Sequence, residues 1–217
     1  MSIKFIQWRN CKELEKIADG IHGRFTCEVP IDIDYIAEMM GLEIFDMDRL
    51  KEDFGLYGFI GQVKKKFIIF VQKGNLKLAN YYTNFTIAEE LSHFILHKEY
   101  FNNVKDINEA YNFYIEISKD SEMMIELNAK YLAGAILLPR EHLKKKAMEA
   151  FKQNESVFDE IIKNGNEESC EAIIAGVSSY LTDIYHVPDG SVSFRLKTAS
   201  IGFREFLRSK YKEKMRY

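Results

Sequence analysis

The sequence is short of cysteine, proline and net charge, and it has no long apolar run. Its three cysteines, Cys11, Cys27 and Cys170, are odd in number, widely spaced and without a CxxC pair. That excludes a disulfide framework and leaves reduced core thiols in a cytoplasmic protein as the expectation. A net charge of −3 offers no bulk attraction for nucleic acid. No stretch approaches the length of a bilayer span, so no membrane partner is expected. The opening residues, Met1 to Arg9, hold no apolar core ahead of a small-residue cleavage site, so no secretory signal is expected either. Internal repeats and low-complexity segments are absent. What remains is 47% hydrophobic and 13% aromatic, the balance of a folded globular chain rather than a disordered one. Its 217 residues suit one large domain or two small ones.

The chain opens with a helical pattern from Asn10 to about Ile21, with Leu14, Ile17, Ala18 and Ile21 on one face and Gly20 and Gly23 as its end. Val29-Pro30-Ile31 reads as a linker, Asp32 as the N-cap of a helix through Met40, and Gly41 as its C′ residue. Residues 42–47 read as a strand. Leu56 to Val63 and Phe67 to Gln72 read as a hairpin around three lysines, followed by a turn at Lys73-Gly74-Asn75. Residues 98–119, rich in Asn, Tyr and charge, read as an insertion or mixed loop, with the tyrosines near 111–114 as packing groups. Helices are expected from Ser121 to Leu138, Glu141 to Gln153, Val157 to Lys163, Cys170 to Tyr185 and Ser191 to Ser200. Pro139, Gly165 and Pro188-Asp189-Gly190 separate them. The tail from Phe203 is basic and reads as a solvated helix face.

One stretch carries chemistry. On a helix, Thr86, Glu89, Glu90, His93 and His97 fall within an arc of roughly 100°. Phe85, Ile87, Ala88, Leu91, Phe94, Ile95 and Leu96 cover most of the remainder. A helix apolar over most of its circumference is buried, so its polar stripe must face a metal, a watered cleft or partner side chains. Ligands at i and i+4 can share one ion, and a carboxylate next to the first can act as general base. In that frame Glu90 is the base, His93 the second ligand, and Glu89 stands where the HExxH pattern has its first histidine. The bland reading of the same residues is a set of satisfied core polar groups. His22, His142 and His186 fit no spacing pattern and are expected at the surface, while Asn128 and Lys130 are expected to be solvated or just behind the site.

Residues Phe85 to His97 resemble the F-T-x-A-H-E-L-x-H-x-x-L-H pattern of the ImmA/IrrE family of metallopeptidases, apart from that first histidine. Glu126 to Pro139 is similar to the family's E-x-x-A-N-x-F-A-A-x-L-L-x-P helix, with Lys130 at its Asn and Leu132 at its Phe. Ile173 to Leu196 is similar to the family's C-terminal segment, in which a Val-Ser turn precedes a helix containing Arg-Leu. The resemblance spans about Val29 to Gly202. It implies cleavage of a helix-turn-helix repressor, with Glu89, His93 and Glu126 holding zinc, Glu90 activating water, and His97 as a substitute ligand if Glu89 turns away. A carboxylate at position 89 makes the site oxygen-rich, which favours manganese or another hard divalent metal over zinc, or no metal at all.

The expected fold is α+β: a small three-stranded antiparallel or mixed sheet on two zincin-like active-site helices, Thr83 to Lys98 and Ser121 to Leu138. Residues 1–140 form the peptidase core and residues 141–217 an all-helical part. The functional expectation is an ImmA/IrrE-like metal-dependent endopeptidase. Two alternatives stand beside it: an inactive pseudopeptidase that binds a regulator, and a DNA-binding regulator using the Val177 to Lys197 helix pair and the basic tail. Direct contact with nucleic acid is not part of the leading reading.

Overall fold

The computed structural model of the chain describes residues 9–25, 27–74, 77–102, 104–116, 119–164 and 169–214. The fold is α+β: mostly helical, with one small mixed sheet. It divides into two compact units, Met1–Leu137 and Leu138–Tyr217.

In the first unit the order is α1 (Cys11–Phe25), α2 (Ile33–Met39), β1 (Glu43–Asp46), α3 (Leu50–Phe54), β2 (Gly58–Val63), β3 (Lys66–Val71), α4 (Lys77–Phe101), α5 (Ile107–Glu116) and α6 (Lys119–Leu137). Asp32 caps α2 as its residue type predicts, its Oδ1 accepting the Tyr35 N–H at 3.0 Å. The strand order is β1-β3-β2, with β1 parallel and β2 antiparallel to β3. Lys64 and Lys65 form the hairpin turn with positive φ at both residues, 50° and 68°. That geometry matches the right-handed twist of the strands but is one that Asn-Gly adopts more cheaply than lysine.

Helix α4 is the centre of this unit. It packs on α6, β2, β3 and α2, and Ile87, Ala88, Leu91 and Leu96 are all buried. The isoleucine and leucine side chains each contribute about 1.5–3 kcal/mol when fully removed from water. Helix α6 meets α4 through Ala129, Leu132, Ala133 and Ile136, all buried. The small alanines let the two backbones come close. On another face α6 carries α1: Tyr131 donates to Glu15 Oε1 at 2.9 Å, and His22 Nε2 donates to the Ile136 carbonyl at 2.7 Å.

Several expectations need correcting. Helix α1 runs through Gly20 and Gly23 to Phe25, because neither glycine meets a neighbour and the buried Leu14–Ala18–Ile21 face holds the turn in place. Helix α4 starts earlier and ends later than the polar stripe suggests. The described part of 98–119 holds more helix than expected: α4 extends to Phe101, and α5 follows at Ile107–Glu116. Its Phe113 packs against the buried Ile125 of α6 and lies 5.0 Å, ring to ring, from Phe101. Asn75 and Gly165, expected as breaks, lie outside the described residues. His22 is not a free surface group, since it satisfies a carbonyl in the last turn of α6.

The second unit contains α7 (Arg140–Gln153), α8 (Glu155–Asn164), α9 (Ser169–Tyr185), α10 (Asp189–Leu196) and α11 (Phe203–Lys214). Phe151, Ile173, Leu181, Leu196 and Leu207 form its core. Arg195 is fully buried, with Nη1 donating to Ser200 Oγ at 3.0 Å. Glu171 on α9 holds both Lys197, at 2.6 Å, and Arg204, at 2.9 Å. His142 is tied by its Nδ1 to the hydroxyl of the buried Tyr185 at 2.9 Å.

Gly58 is where the sheet comes nearest to α4. A Cβ there would lie 2.6 Å from Thr86 Cγ2 and 3.0 Å from the Phe70 carbonyl oxygen. Gly58→Ala is therefore expected to destabilise the protein by about 1–3 kcal/mol, the usual cost of overpacking. Gly20→Ala, in open space on exposed helix, is expected to stabilise it by about 0.5–1 kcal/mol. Urea unfolding of both variants checks the pair, and equal midpoints would contradict the close approach at Gly58.

Candidate metal centre

The polar stripe of α4 is buried along most of its length. Thr86, Glu90, His93 and His97 are each less than a tenth exposed, and Glu89 is half-buried. The cover comes from β2 on one side and α6 on the other. Between them lies a cleft of about 450 Å³. Glu89, Glu90 and His93 of α4, Glu122, Glu126 and Lys130 of α6, Tyr111 of α5 and the segment 54–58 before β2 line it.

His93 is held from both ring nitrogens. Its Nε2 lies 3.4 Å from Glu126 Oε1, across the α4–α6 contact. Its Nδ1 lies 3.3 Å from Nδ1 of His97, one turn further along α4. Phe101 closes the pocket with an edge-to-face contact at 5.3 Å. Burial, then the neighbouring His93 and Arg9, push the His97 imidazole down to about 3, so His97 is neutral at any ordinary pH. A neutral imidazole can either donate to or accept from His93, which lets it match whichever tautomer His93 adopts.

The carboxylates are less well satisfied. Glu90 accepts the backbone N–H of Ile60 on β2, but its Oε2 is buried with no hydrogen-bond partner. Burial, followed by the charges of Glu126 and Glu89, pushes its carboxyl well above the usual range. Oε1 of Glu89 is likewise buried and unpartnered. Burial raises the Glu89 carboxyl to about 7, with Lys130 opposing and Glu126 reinforcing the rise. Lys130 stands 3.9 Å from Glu126 Oε2. It therefore acts on both carboxylates from the mouth of the cleft, where it is half-exposed.

Each residue singled out in the sequence thus has a place. His93 and Glu126 meet, Glu89 and Glu90 line the same cleft, and His97 sits behind His93 rather than in the cleft lining. Among the described residues no group of three His, Cys, Asp or Glu side chains is drawn together closely enough to hold an ion. The donor chemistry nonetheless suits a divalent cation. Two buried carboxylate oxygens lack partners beside an imidazole–carboxylate pair, and a cation would satisfy what nothing else in the cleft does. Asn128 is not solvated: it is fully buried, and its Oδ1 accepts the Arg9 N–H at 3.3 Å. The residues sequence reasoning missed are Tyr57, Gly58 and Glu122, together with Tyr111, read only as packing. Their signal is weak, because they reach the cleft from a loop, a strand start and helices remote in sequence.

The raised Glu89 carboxyl has a thermodynamic consequence. Below the ordinary carboxylate value of 4.5, both folded and unfolded chains carry the proton. Between 4.5 and about 7 only the folded chain keeps it, so stability falls as pH rises through that window. The total is about 3 kcal/mol by linkage. His97 works in the opposite sense between about 3 and 6.5, losing stability as pH falls. The comparison that isolates Glu89 is therefore between native protein and Glu89→Gln in chelator. The variant is expected to gain on the native protein by about 2–3 kcal/mol from pH 4.5 to pH 8. Parallel pH profiles from urea titrations would remove the buried-acid description of Glu89.

Compared with known protein families the chain matches none, and it matches no curated protein.

Proposed function

We propose that the chain is a metal-dependent endopeptidase of the ImmA/IrrE type that cuts a helix-turn-helix repressor. The observation that supports this most is the meeting of His93 and Glu126 at 3.4 Å, in the cleft that also holds Glu90. These residues come from two helices whose motifs resemble the family's in order and spacing. His93 Nε2 and a Glu126 oxygen would hold the metal, with a Glu89 oxygen as third donor after a side-chain rotation. The bound ion would supply the Lewis acidity that polarises the scissile carbonyl and makes water a nucleophile at neutral pH. Three carboxylates with one imidazole favour manganese or another hard cation over zinc.

Glu90 does the proton work. Its Oε2 is free of hydrogen bonds, while the Ile60 N–H orients the carboxylate. Burial and the charges of Glu126 and Glu89 raise its proton affinity, and a cation in the cleft would lower it again toward the range a general base needs. Gly58 leaves room above the carboxylate, since a Cβ there would stand 3.5 Å from Glu90 Cγ. Lys130, at the rim, offsets part of the carboxylates' mutual repulsion.

One observation favours the pseudopeptidase as a second reading. Glu89 holds its proton up to about pH 7, and a protonated carboxyl is a poor ligand. The DNA-binding reading gains no such support. The single basic residue of α10, Arg195, is buried, and Lys197 and Arg204 are paired with Glu171.

Co-expression with candidate helix-turn-helix regulators from its own genome, followed by a blot of each regulator, tests the proposal. Cleavage is expected, with Glu90→Gln reducing it by at least about 100-fold. Elemental analysis of the purified protein is expected to find one divalent metal per chain, lost in His93→Ala. Metal found only after Glu89→His, with no cleavage by the native chain, would make the protein a pseudopeptidase.

A further inference from the structure

A second cavity, of about 420 Å³, opens beside the candidate centre. The two share Tyr57 and Thr86 in their walls. Their charge differs sharply. The lining of the first carries Glu89, Glu90, Glu122 and Glu126 against the single cation Lys130. Among the described residues the lining of the second carries Lys51 and Lys73 and no acid. Gln72, Tyr82 and Thr83 complete its polar wall.

The side chains are arranged rather than scattered. Lys51 Nζ stands 4.5 Å from the centroid of the Tyr57 ring. The Lys51 backbone N–H donates to Gln72 Oε1 at 2.9 Å, and the Lys73 N–H donates to Asp46 Oδ1 at 2.9 Å. Both lysine stems thus rise from anchored backbone. Glu52 lies outside the lining, where it accepts the Gln72 amide at 3.5 Å. Tyr57 and Tyr82 are each about half-exposed, at 51% and 54%, and present their rings at the mouth.

The spacing along α4 sets the distance to the chemistry. Thr83 and Thr86 line the basic cavity, and Glu90 follows them by seven and four residues. At 1.5 Å per residue that is roughly 6–10 Å along the helix. An extended peptide covers the same distance in about two or three residues.

We propose that the Lys51–Lys73 cavity is a specificity pocket for a peptide carboxylate, placed two or three residues from the bond presented to Glu90. The pocket rests on the peptidase reading for that register but not for its ligand chemistry. An acidic side chain inside the target fits an endopeptidase; a free C-terminus offers the same group. Two lysines in one lining, with the Lys51 ammonium over the Tyr57 ring, favour a carboxylate over its neutral amide. The neighbouring cleft offers one lysine, Lys130, among its described lining residues against two here, so an acidic residue finds its stronger cationic seat beside Lys51 and Lys73.

The test uses the full-length Glu90→Gln protein, which binds without cutting, and three fluorescent pools of randomised dodecapeptides. One pool has a fixed central Glu and an amidated end, the second a central Gln and an amidated end, and the third a central Gln and a free C-terminal carboxylate. Fluorescence anisotropy at low salt is expected to show the Glu pool binding about threefold to tenfold tighter than the Gln amide pool. That preference should vanish in Lys51→Met/Lys73→Met and return in Lys51→Arg/Lys73→Arg. Tighter binding of the third pool would identify the carboxylate as a chain terminus. Equal binding of all three, or a preference that survives the loss of both lysines, overturns the proposal. In parallel, the native protein with manganese or zinc is given the Glu pool and the products are sequenced. Cuts two or three residues from the glutamate support the register, and cuts at scattered distances count against it. No cutting at all, with the binding preference intact, removes the peptidase reading and leaves the carboxylate pocket standing.

Discussion

The structure depends on the burial of charge-bearing groups along one face of α4. Glu90, His93 and His97 sit under β2 and α6, where water cannot reach them freely and where an unpaired carboxylate is costly. The imidazoles have each other and Glu126. The two glutamates keep an unpartnered oxygen each. A fold selected for stability alone would have put leucine at these positions, since replacing buried charged groups with apolar ones is often neutral or better. Asp34 in the same unit also keeps a buried oxygen without a partner, but on α4 two such oxygens stand beside an imidazole–carboxylate pair.

The same cover explains the neighbouring features. Gly58 is glycine because β2 lies against Thr86 and Glu90 at a distance a side chain would not permit. That approach delivers the Ile60 N–H to Glu90. It also brings the 54–58 segment over the helix, so Tyr57 becomes a wall shared by an acidic cleft and a basic one. The two cavities consequently differ in lining: glutamates predominate in one and lysines in the other.

Local chemistry was legible in the sequence, and long-range cover was not. Asp32 as a cap, the lysine turn of the hairpin and Pro139 as a helix stop are decided by a few adjacent residues, and each is found where it was expected. The approach of Glu126 to His93 was expected only from the resemblance to the ImmA/IrrE pattern, since no spacing rule links residues on two separate helices. Helix α5 was not legible. Its Ile107-Asn-Glu-Ala-Tyr-Asn-Phe sequence is polar enough to read as loop, and its helix depends on Ala110 and Phe113 finding a surface made by α4 and α6. Gly20 and Gly23 misled for the converse reason: helix propensity disfavours glycine by only about 1 kcal/mol, which a buried face outweighs. The basic cavity draws on positions 51, 57, 72, 73 and 82, and no window of sequence contains that set.

Two of the departures from the resembled pattern, at positions 89 and 130, act on each other. Glutamate in place of histidine at position 89 adds a negative charge at the first ligand position; lysine in place of asparagine at position 130 adds a positive one. The structure puts the two in electrostatic contact, with Lys130 countering the rise in the Glu89 carboxyl and standing 3.9 Å from Glu126. Taken together they keep the formal charge of the ligand set unchanged while replacing a nitrogen donor by oxygen. Lys130 is half-exposed, so its field is screened and the compensation is partial. Lys130 thus lowers the proton affinity that burial and Glu126 raise at Glu89, so this carboxyl ionises more readily than its burial alone would allow.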